Sequence, residues 1–268
     1  MLLVVKLGGS TLEEGVSEEF ARDIKNTYEN HKLVIVHGGG RKVTEIATRL
    51  GKEQKFIVSP EGFRSRYTDR ETAEIYTMVM AGKINKEIVL ALQRQSLNVI
   101  GLSGIDGALA VAERKKQLII IDERGRKRVI EGGYTGKISR INVELLKILI
   151  ENGYIPVVAP VAVGTEFEPL NIDGDRMAAN IAGSLNADML ILLTDVAGLK
   201  LDGKLIQRMS LVEAKDSLSR IGHGMITKVY AAIEAIEMGV KKVSISPGME
   251  SSPITFSIEN KCGTVIER

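Results

Sequence analysis

The chain has 268 residues, of which 44% are hydrophobic and 26% charged, enough for one large core or two modest ones. A net charge of +2 falls short of the basic excess typical of nucleic-acid binders, and no apolar run reaches the roughly 18–20 residues of a membrane span. Cys262 is the only cysteine, which rules out an internal disulfide and points to a reducing, cytoplasmic setting.

The first predicted element is the strand "LLVVKL" at 2–7. It does not read as a secretory signal, because Lys6 follows the apolar run where a signal places its cations first. Gly8-Gly9 end it, and a helical pattern follows at about 17–30. The strand at 33–36 ends in "VIVHGGGRK" (34–42), where His37 precedes three glycines that open a helix at about 40–50. A polar stretch, "SPEGFRSRYTDRET" (59–72), leads into a long helical pattern over 69–95 and a strand at 98–103. Between 108 and 132, "ALAVAER", "QLIIIDE" and "KRVIEGG" are separated by "RKK" and "RGR" and predict an antiparallel meander or hairpin extension. Helices at 142–152, 174–186, 210–220 and 225–239 alternate with strands at 154–161, 189–194 and 242–246. "SLVE" (210–213) is a capping-box match at the third of these helices. Most of the strands are continuous apolar runs rather than alternators, as in a parallel sheet buried on both faces. The expected fold is a three-layer αβα open sandwich with a mainly parallel central sheet and a seam near 160–170.

The two glycine loops share one design: a buried strand, then residues without side chains, then a helix. Three consecutive glycines add backbone freedom that folding must remove. A single Gly pair makes a tight turn and nothing more. Two such loops at the carboxyl ends of parallel strands form a place for phosphate oxygens, although neither is a Walker A nor a G-x-G-x-x-G sequence. Lys6 lies in an apolar strand and is either a snorkelling strand-end lysine or a cation aimed at phosphate. Asn171, Asp173 and Asp175 open a helix, where one carboxylate is accounted for by the helix dipole. Lys228 by itself reads as a surface residue near the start of a helix. Thr194 and Asp195 end a strand at an edge suited to nucleotide contacts.

Taken in order, "KLGGS" (6–10), "VIVHGGG" (34–40), "YTD" (67–69), "LNIDGD" (170–175), "ADMLILLTDVAGL" (187–199) and "GMITKV" (224–229) resemble the amino acid kinase family over essentially the whole chain. Within it the chain is most similar to acetylglutamate kinases. The resemblance implies that Lys6 and Lys228 stabilise a phosphoryl-transfer transition state and that Asp175 holds both. It implies that Gly8, Gly9, Gly39 and Gly40 offer backbone N–H groups to the transferred phosphoryl and the acyl substrate. Arg66 and Asn171 would hold the substrate, and Thr194 and Asp195 would contact ATP, whose Mg2+ travels with the nucleotide. No dedicated cage of carboxylates for a metal appears. Residues 1–165 would form the acyl-substrate and dimerisation lobe and 166–268 the ATP lobe. The 69–95 helix, with Ile75, Met78, Val79, Ile84, Ile88 and Leu92, would make a homodimer contact.

The 59–72 segment departs from ordinary acetylglutamate kinases, being longer and adding Arg64 and Arg70 around Arg66. It resembles the kinases of the carrier-protein route to lysine, and in some archaea to arginine. There the amino group of aminoadipate or glutamate is masked by linkage to the C-terminal glutamate of a small acidic carrier protein, LysW. "VIEGGYTG" (129–136) fits a wider mouth to such a site. Arg114, Lys115, Lys116, Arg124, Arg126, Lys127 and Arg128 face only Asp122 and Glu123 in sequence. That charge run is either a solvated hairpin or a docking face, with Arg64, for the acidic carrier. Two alternatives stand beside this expectation: a kinase of free N-acetyl-L-glutamate, and a catalytically silent, ligand-responsive binding protein of the same fold.

Overall fold

The computed structural model describes residues 1–12, 15–222 and 224–268, with all their side chains except that of Ser10. In chain order the elements are β1 (Leu2–Leu7), α1 (Glu18–Tyr28), β2 (Lys32–His37), α2 (Gly40–Arg49), β3 (Phe56–Val58), β4 (Arg64–Arg66) and α3 (Arg70–Thr77). A π-helical segment, Met78–Ile84, joins α3 to α4 (Asn85–Gln93). Then come β5 (Val99–Gly104), β6 (Ala110–Arg114), β7 (Gln117–Ile121), β8 (Lys127–Glu131), β9 (Gly136–Ile141), α5 (Val143–Glu151), β10 (Ile155–Gly164) and β11 (Pro169–Asn171). The chain continues through α6 (Gly174–Ser184), β12 (Met189–Thr194), β13 (Lys200–Leu201), β14 (Lys204–Leu205), β15 (Arg208–Ser210) and α7 (Leu211–Ser217). It closes with α8 (Met225–Glu237), β16 (Lys242–Pro247), α9 (Pro253–Ile258) and β17 (Thr264–Glu267).

One sheet of eleven strands runs β15-β17-β16-β12-β1-β2-β10-β6-β9, with β5 and β11 also paired to β10. β1 lies between β2 and β12, parallel to both, and β16 continues the parallel set beyond β12. The unbroken Val, Leu and Ile runs are explained by burial on both faces. Val4, Val34, Val36, Leu190 and Leu192 pack with Met177 and Ile181 of α6 and Val229 and Ile236 of α8. On the other face Leu3, Val5, Leu33, Ile35 and Ile191 pack with Phe20 and Ile24 of α1, Val43 of α2, and Ile88 and Leu92 of α4. Both clusters draw residues from either side of position 165, because β1 ties the two halves into one sheet.

Of the two arrangements expected over 108–132 the hairpin extension holds and the meander does not: β7 and β8 pair as a hairpin, and β6 enters the main sheet beside β10 and β9. The fold departs from the sequence expectation in two further places. The short β17, antiparallel to β16 and parallel to β15, carries no periodic signal long enough to separate it from a loop. The 69–95 helix is real but contains the π segment, and five of its six apolar residues face the chain's own core: Ile75, Val79, Ile84, Ile88 and Leu92 are buried and only Met78 is exposed. Their apolar character therefore reports intrachain packing and is no sign of a subunit contact. π turns often sit at functional sites. This one lays Met80 and Ile84 against Gly39, whose φ is +150°, and a Cβ there would overlap Ile84 Cδ1.

Candidate active site

Because β16, β12, β1 and β2 are parallel neighbours, their carboxyl ends line one edge, where open α/β sheets bind ligands. Gly8-Gly9, Gly38 to Gly40, Asp195 and Gly248 follow those ends directly. The glycine loops meet backbone to backbone. Gly38 N donates to Leu7 O at 2.9 Å. A Cβ on Gly38 would lie 3.0 Å from Gly9 N, one on Gly9 3.2 Å from Gly39 N, and one on Gly8 2.8 Å from Leu193 O. Side chains here would force the two loops apart, which accounts for the glycines by close approach. α2 begins at Gly40 with Gly39 as its N-cap, so the positive end of its dipole is at this edge.

Lys6 projects from β1 on the same face as Val4, toward α6 and α8. Its Nζ lies 2.7 Å from Asp175 Oδ1, and Lys228 Nζ of α8 lies 3.2 Å from Asp175 Oδ2. One buried carboxylate thus bridges two cations from different elements. Asp173 caps α6, its Oδ1 accepting from the backbone N–H groups of Asp175 and Arg176 at 2.9 and 3.0 Å, and so aims Asp175. Arg176 pairs with Glu234 and ties α6 to the helix carrying Lys228. Burial acts to raise the Asp175 pKa, but the two ammonium groups outweigh it and hold the carboxyl well below the ordinary range. Burial likewise opposes the charge on Lys228, and Asp175 more than restores it, raising that pKa. The Asp173 pKa is pushed upward by desolvation and by Asp175, the first of these moderated by the residue's exposure to solvent. Thr194 ends β12 as a buried residue whose hydroxyl donates to Asp195 Oδ1 at 3.2 Å, and the Asp195 charge also favours charged Lys228.

His37 is a fixed neutral member of this edge. Its Nδ1–H donates to Gly38 O at 2.9 Å and its Nε2 accepts from Asn85 Nδ2 at 3.2 Å. Burial, partly opposed by the Gly38 bond, brings its pKa down to about 4 from 6.5, with Lys6 and Lys86 adding to the fall. The unfolded chain therefore takes up the proton first as pH drops. Stability should be fully present above pH 6.5 and decline toward pH 4, by about 3 kcal/mol for this group. His37→Asn should flatten that part of the stability–pH curve, read by denaturant unfolding at several pH values. An unchanged slope would assign the acid sensitivity elsewhere.

Arg66 and Asn171 lie beside the glycine edge on the β2–β10 side. Arg66 is buried, and its Nη2 donates to Gly40 O at 2.8 Å and Thr44 Oγ1 at 2.9 Å while Nη1 bonds Gln54 Oε1. Asn171 Nδ2 donates to Thr68 Oγ1 at 2.9 Å, and its backbone N donates to Tyr134 O. The "GGYT" segment (132–135) therefore packs directly on Thr68 and Asn171. A Cβ at Gly133 would overlap Thr68 O, which requires the glycine. Tyr76 bonds the backbone next to Asn171, its hydroxyl donating to Ile172 O at 3.3 Å.

The basic residues divide. Lys116, Lys127 and Arg128 are exposed around the β7–β8 hairpin. Arg126 is engaged by Asp122 at 3.1 Å. Arg114 stacks 4.1 Å from the Tyr134 ring centroid and donates to Gly133 O, so it braces the "GGYT" segment. Lys115 is near enough to Asp173 and Arg176 to feel both charges, at the cleft rather than on the hairpin's outer face. Sequence reading missed Thr44 of α2 and Gln54, which orient Arg66, and gave no role to Thr68 of the "YTD" stretch, which bonds Asn171, because polar residues on helix surfaces and in loops carry no distinguishing pattern. Asp173 was visible as a helix start but not as the aiming group for Asp175.

The family's sequence description, "Amino acid kinase family", matches residues 1–246. The chain belongs to the amino acid kinase family. Among proteins similar to this family member, one of Sulfolobus acidocaldarius named LysW-aminoadipate/LysW-glutamate kinase is 47% identical over 267 residues, covering 99% of this chain and 100% of that one. Another of the same name from Saccharolobus solfataricus is 46% identical over 266 residues, covering 99% of each. Among solved structures, N-acetylglutamate synthase from Neisseria gonorrhoeae shares the amino acid kinase fold at a TM-score of 0.82 and 23% identity, covering 99% of this chain and 61% of that one. A fold that serves a synthase as well as kinases does not settle the chemistry.

Proposed function

We propose that this protein transfers the γ-phosphoryl group of ATP to the side-chain carboxylate of aminoadipate or glutamate whose amino group is masked by a small acidic carrier protein of the LysW kind. The observation that carries the reading is the Lys6–Asp175–Lys228 bridge at the glycine edge, in a chain 46–47% identical along its whole length to kinases of that name. The product is an acyl phosphate of lysine or arginine biosynthesis, and the setting is the cytoplasm.

A carboxylate nucleophile is already ionised at pH 7, so the reaction needs no general base. What remains is in-line positioning and neutralisation of charge on the transferring phosphoryl. Lys6 and Lys228 supply the charge, and Asp175 keeps both protonated and a fixed distance apart. Each ammonium has three donors and gives one to Asp175, leaving the others for phosphate oxygens. The Gly8-Gly9 and Gly39-Gly40 N–H groups lie on either side of the transfer line. Mg2+ would travel with the nucleotide's phosphates, with Asp195 and Thr194 at the nucleotide end. Arg66 and Asn171 grip the amino acid. Residues 1–165 supply the acyl site, completed by Asn171, and 166–268 the ATP site, completed by Lys6 and Gly8-Gly9. A homodimer is proposed through the exposed Met78 and Leu90 on the long helix. Sedimentation showing only monomer at micromolar concentration would remove it.

The reaction class is tested by trapping: hydroxylamine should capture the acyl phosphate as a hydroxamate, in step with ADP release. Docking is tested on the hairpin. Exposed charge contacts are each worth under ~1 kcal/mol and act mainly on association. Lys127→Glu with Arg128→Glu should therefore raise KM for the carrier severalfold, more at low salt, with kcat nearly constant. Arg126 is left intact because it holds the turn through Asp122. Equal loss on a small free substrate would make the hairpin structural.

A further inference from the structure

The β3–β4 hairpin carries a feature that the acetylglutamate kinase pattern leaves unassigned. Phe56 and Arg66 are paired across it, and Arg64 lies two residues before Arg66 on the same face. Both guanidinium groups stack on the Phe56 ring, Arg64 at 4.2 Å and Arg66 at 5.0 Å from its centroid. The two differ in surroundings. Arg66 is 7% exposed and held by Gln54, Gly40 and Thr44, which leaves its Nε–H and one Nη1 proton for a ligand among the described residues. Arg64 is exposed and has no carboxylate partner among the described residues. Two like charges on one aromatic ring repel, so this pair is built for anionic company.

The hairpin is also pinned to α8. At its tip, Ser59 N donates to Phe63 O at 2.9 Å, and the Phe63 ring meets the Tyr230 ring of α8 edge-on at 5.0 Å. Tyr230 is two residues beyond Lys228. On its other side β3 lies against β7, the first strand of the basic hairpin. Arg64 is thus the exposed one of the two arginines, on a hairpin that touches the basic one.

The geometry points to Arg64 as a specificity-determining residue that binds the free carboxylate of the carrier's linking glutamate, while Arg66 binds the α-carboxylate of the attached amino acid. This inference rests on the carrier-linked substrate proposed above. A glutamate joined to an amino group through one of its carboxyls keeps the other. Whichever is used, the same number of bonds separates that free carboxylate from the α-carboxylate of the attached residue, an extended reach of roughly two residues (~7 Å). Neighbours on one strand face are ~6.5–7 Å apart. The arginine pair therefore matches two carboxylates on either side of the amide, a pair that occurs only in the linked substrate. In free N-acetylglutamate the acetyl group ends at the first carbon beyond the amide carbonyl, three bonds short of where the second carboxylate would be.

The test uses two carriers loaded with the same amino acid: the native one, and one whose linking glutamate has its free carboxylate replaced by a carboxamide. On the native carrier Arg64→Gln should lower kcat/KM about fivefold, mostly through KM, as expected for one charge-assisted contact at an exposed site. Arg64→Lys should recover part of the loss, keeping the charge without the fork. On the carboxamide carrier, wild type should fall to the level of Arg64→Gln, and the two proteins should agree within about twofold. Equal loss of the variant on both carriers, no loss on the native one, or a wild type indifferent to the amide would each overturn the assignment. A wild type that phosphorylates neither carrier would overturn the substrate reading itself, and that result appears before any variant is made.

Discussion

Lys6→Ala and Lys228→Ala are each expected to lower kcat by about 10²–10³, the worth of one preorganised donor facing charge that develops in a transition state. The two need not behave alike. Lys6 sits in the middle of the sheet between β2 and β12, and its loss leaves a hole beneath the glycine loops as well as a missing charge. Lys228 is on a helix bordered by the cleft, so its removal should be the cleaner kinetic lesion. In both variants the fall should persist at saturating ATP, which separates transition-state stabilisation from nucleotide affinity. Single-turnover kinetics on carrier-linked substrate would measure this. Either variant keeping near-wild-type turnover would remove that lysine from the mechanism.

Asp175→Asn should cost both rate and stability. It leaves two ammonium groups, previously 2.7 and 3.2 Å from a shared carboxylate, facing each other in a buried place. Removing one partner from a buried ionic group typically costs about 3–5 kcal/mol. Repulsion and burial would then favour a neutral lysine, so the alkaline limb of the pH–rate profile should move to lower pH. In the wild type the sign at acid pH is the reverse. The Asp175 pKa lies below its ordinary 3.8 in the fold, so its contribution is complete above about pH 4 and is lost as pH falls below that. The variant should lack this acid-dependent component in its unfolding free energy. A variant with wild-type Tm and an unmoved pH–rate profile would show that Asp175 does not hold the lysines together.

Much of the sheet could be read in advance because its central strands are apolar on both faces. "LLVVKL" and "MLILLT" have nowhere to go but the middle of a layered fold, and β1 and β12 are there. The same composition hid the strand-edge elements: β17 is only Thr264–Glu267, too short to show a period. The 69–95 helix shows the opposite failure. Its apolar face was visible, but sequence periodicity does not say whether such a face meets the chain's own sheet or a second subunit. At the site, charged residues out of place were the readable ones. Lys6 inside a strand and Asp175 at a helix start are costly unless paired, and the fold pairs them. The roles of Thr44, Gln54 and Thr68 were unreadable because ordinary polarity on a helix surface or in a loop conceals which side chain a hydroxyl or amide will orient. Phe56 was missed because a single aromatic residue before a turn gives no hint of two arginines stacked on it.

The carrier-linked substrate is the central claim, and the most direct measurement of it is acyl-phosphate formation by the purified protein with three acceptors side by side. These are the LysW-type carrier bearing aminoadipate, the same carrier bearing glutamate, and free N-acetyl-L-glutamate, each with ATP and Mg2+. The two carrier-linked acceptors differ from each other by one methylene, worth only ~1–3 kcal/mol in a pocket, so both should be phosphorylated with kcat/KM values within about two orders of magnitude. Free N-acetyl-L-glutamate should be far poorer than the better of them. Efficient turnover of free N-acetyl-L-glutamate with none on either carrier would contradict the account and make the protein an ordinary acetylglutamate kinase, and no turnover of any acceptor would favour a silent binding protein.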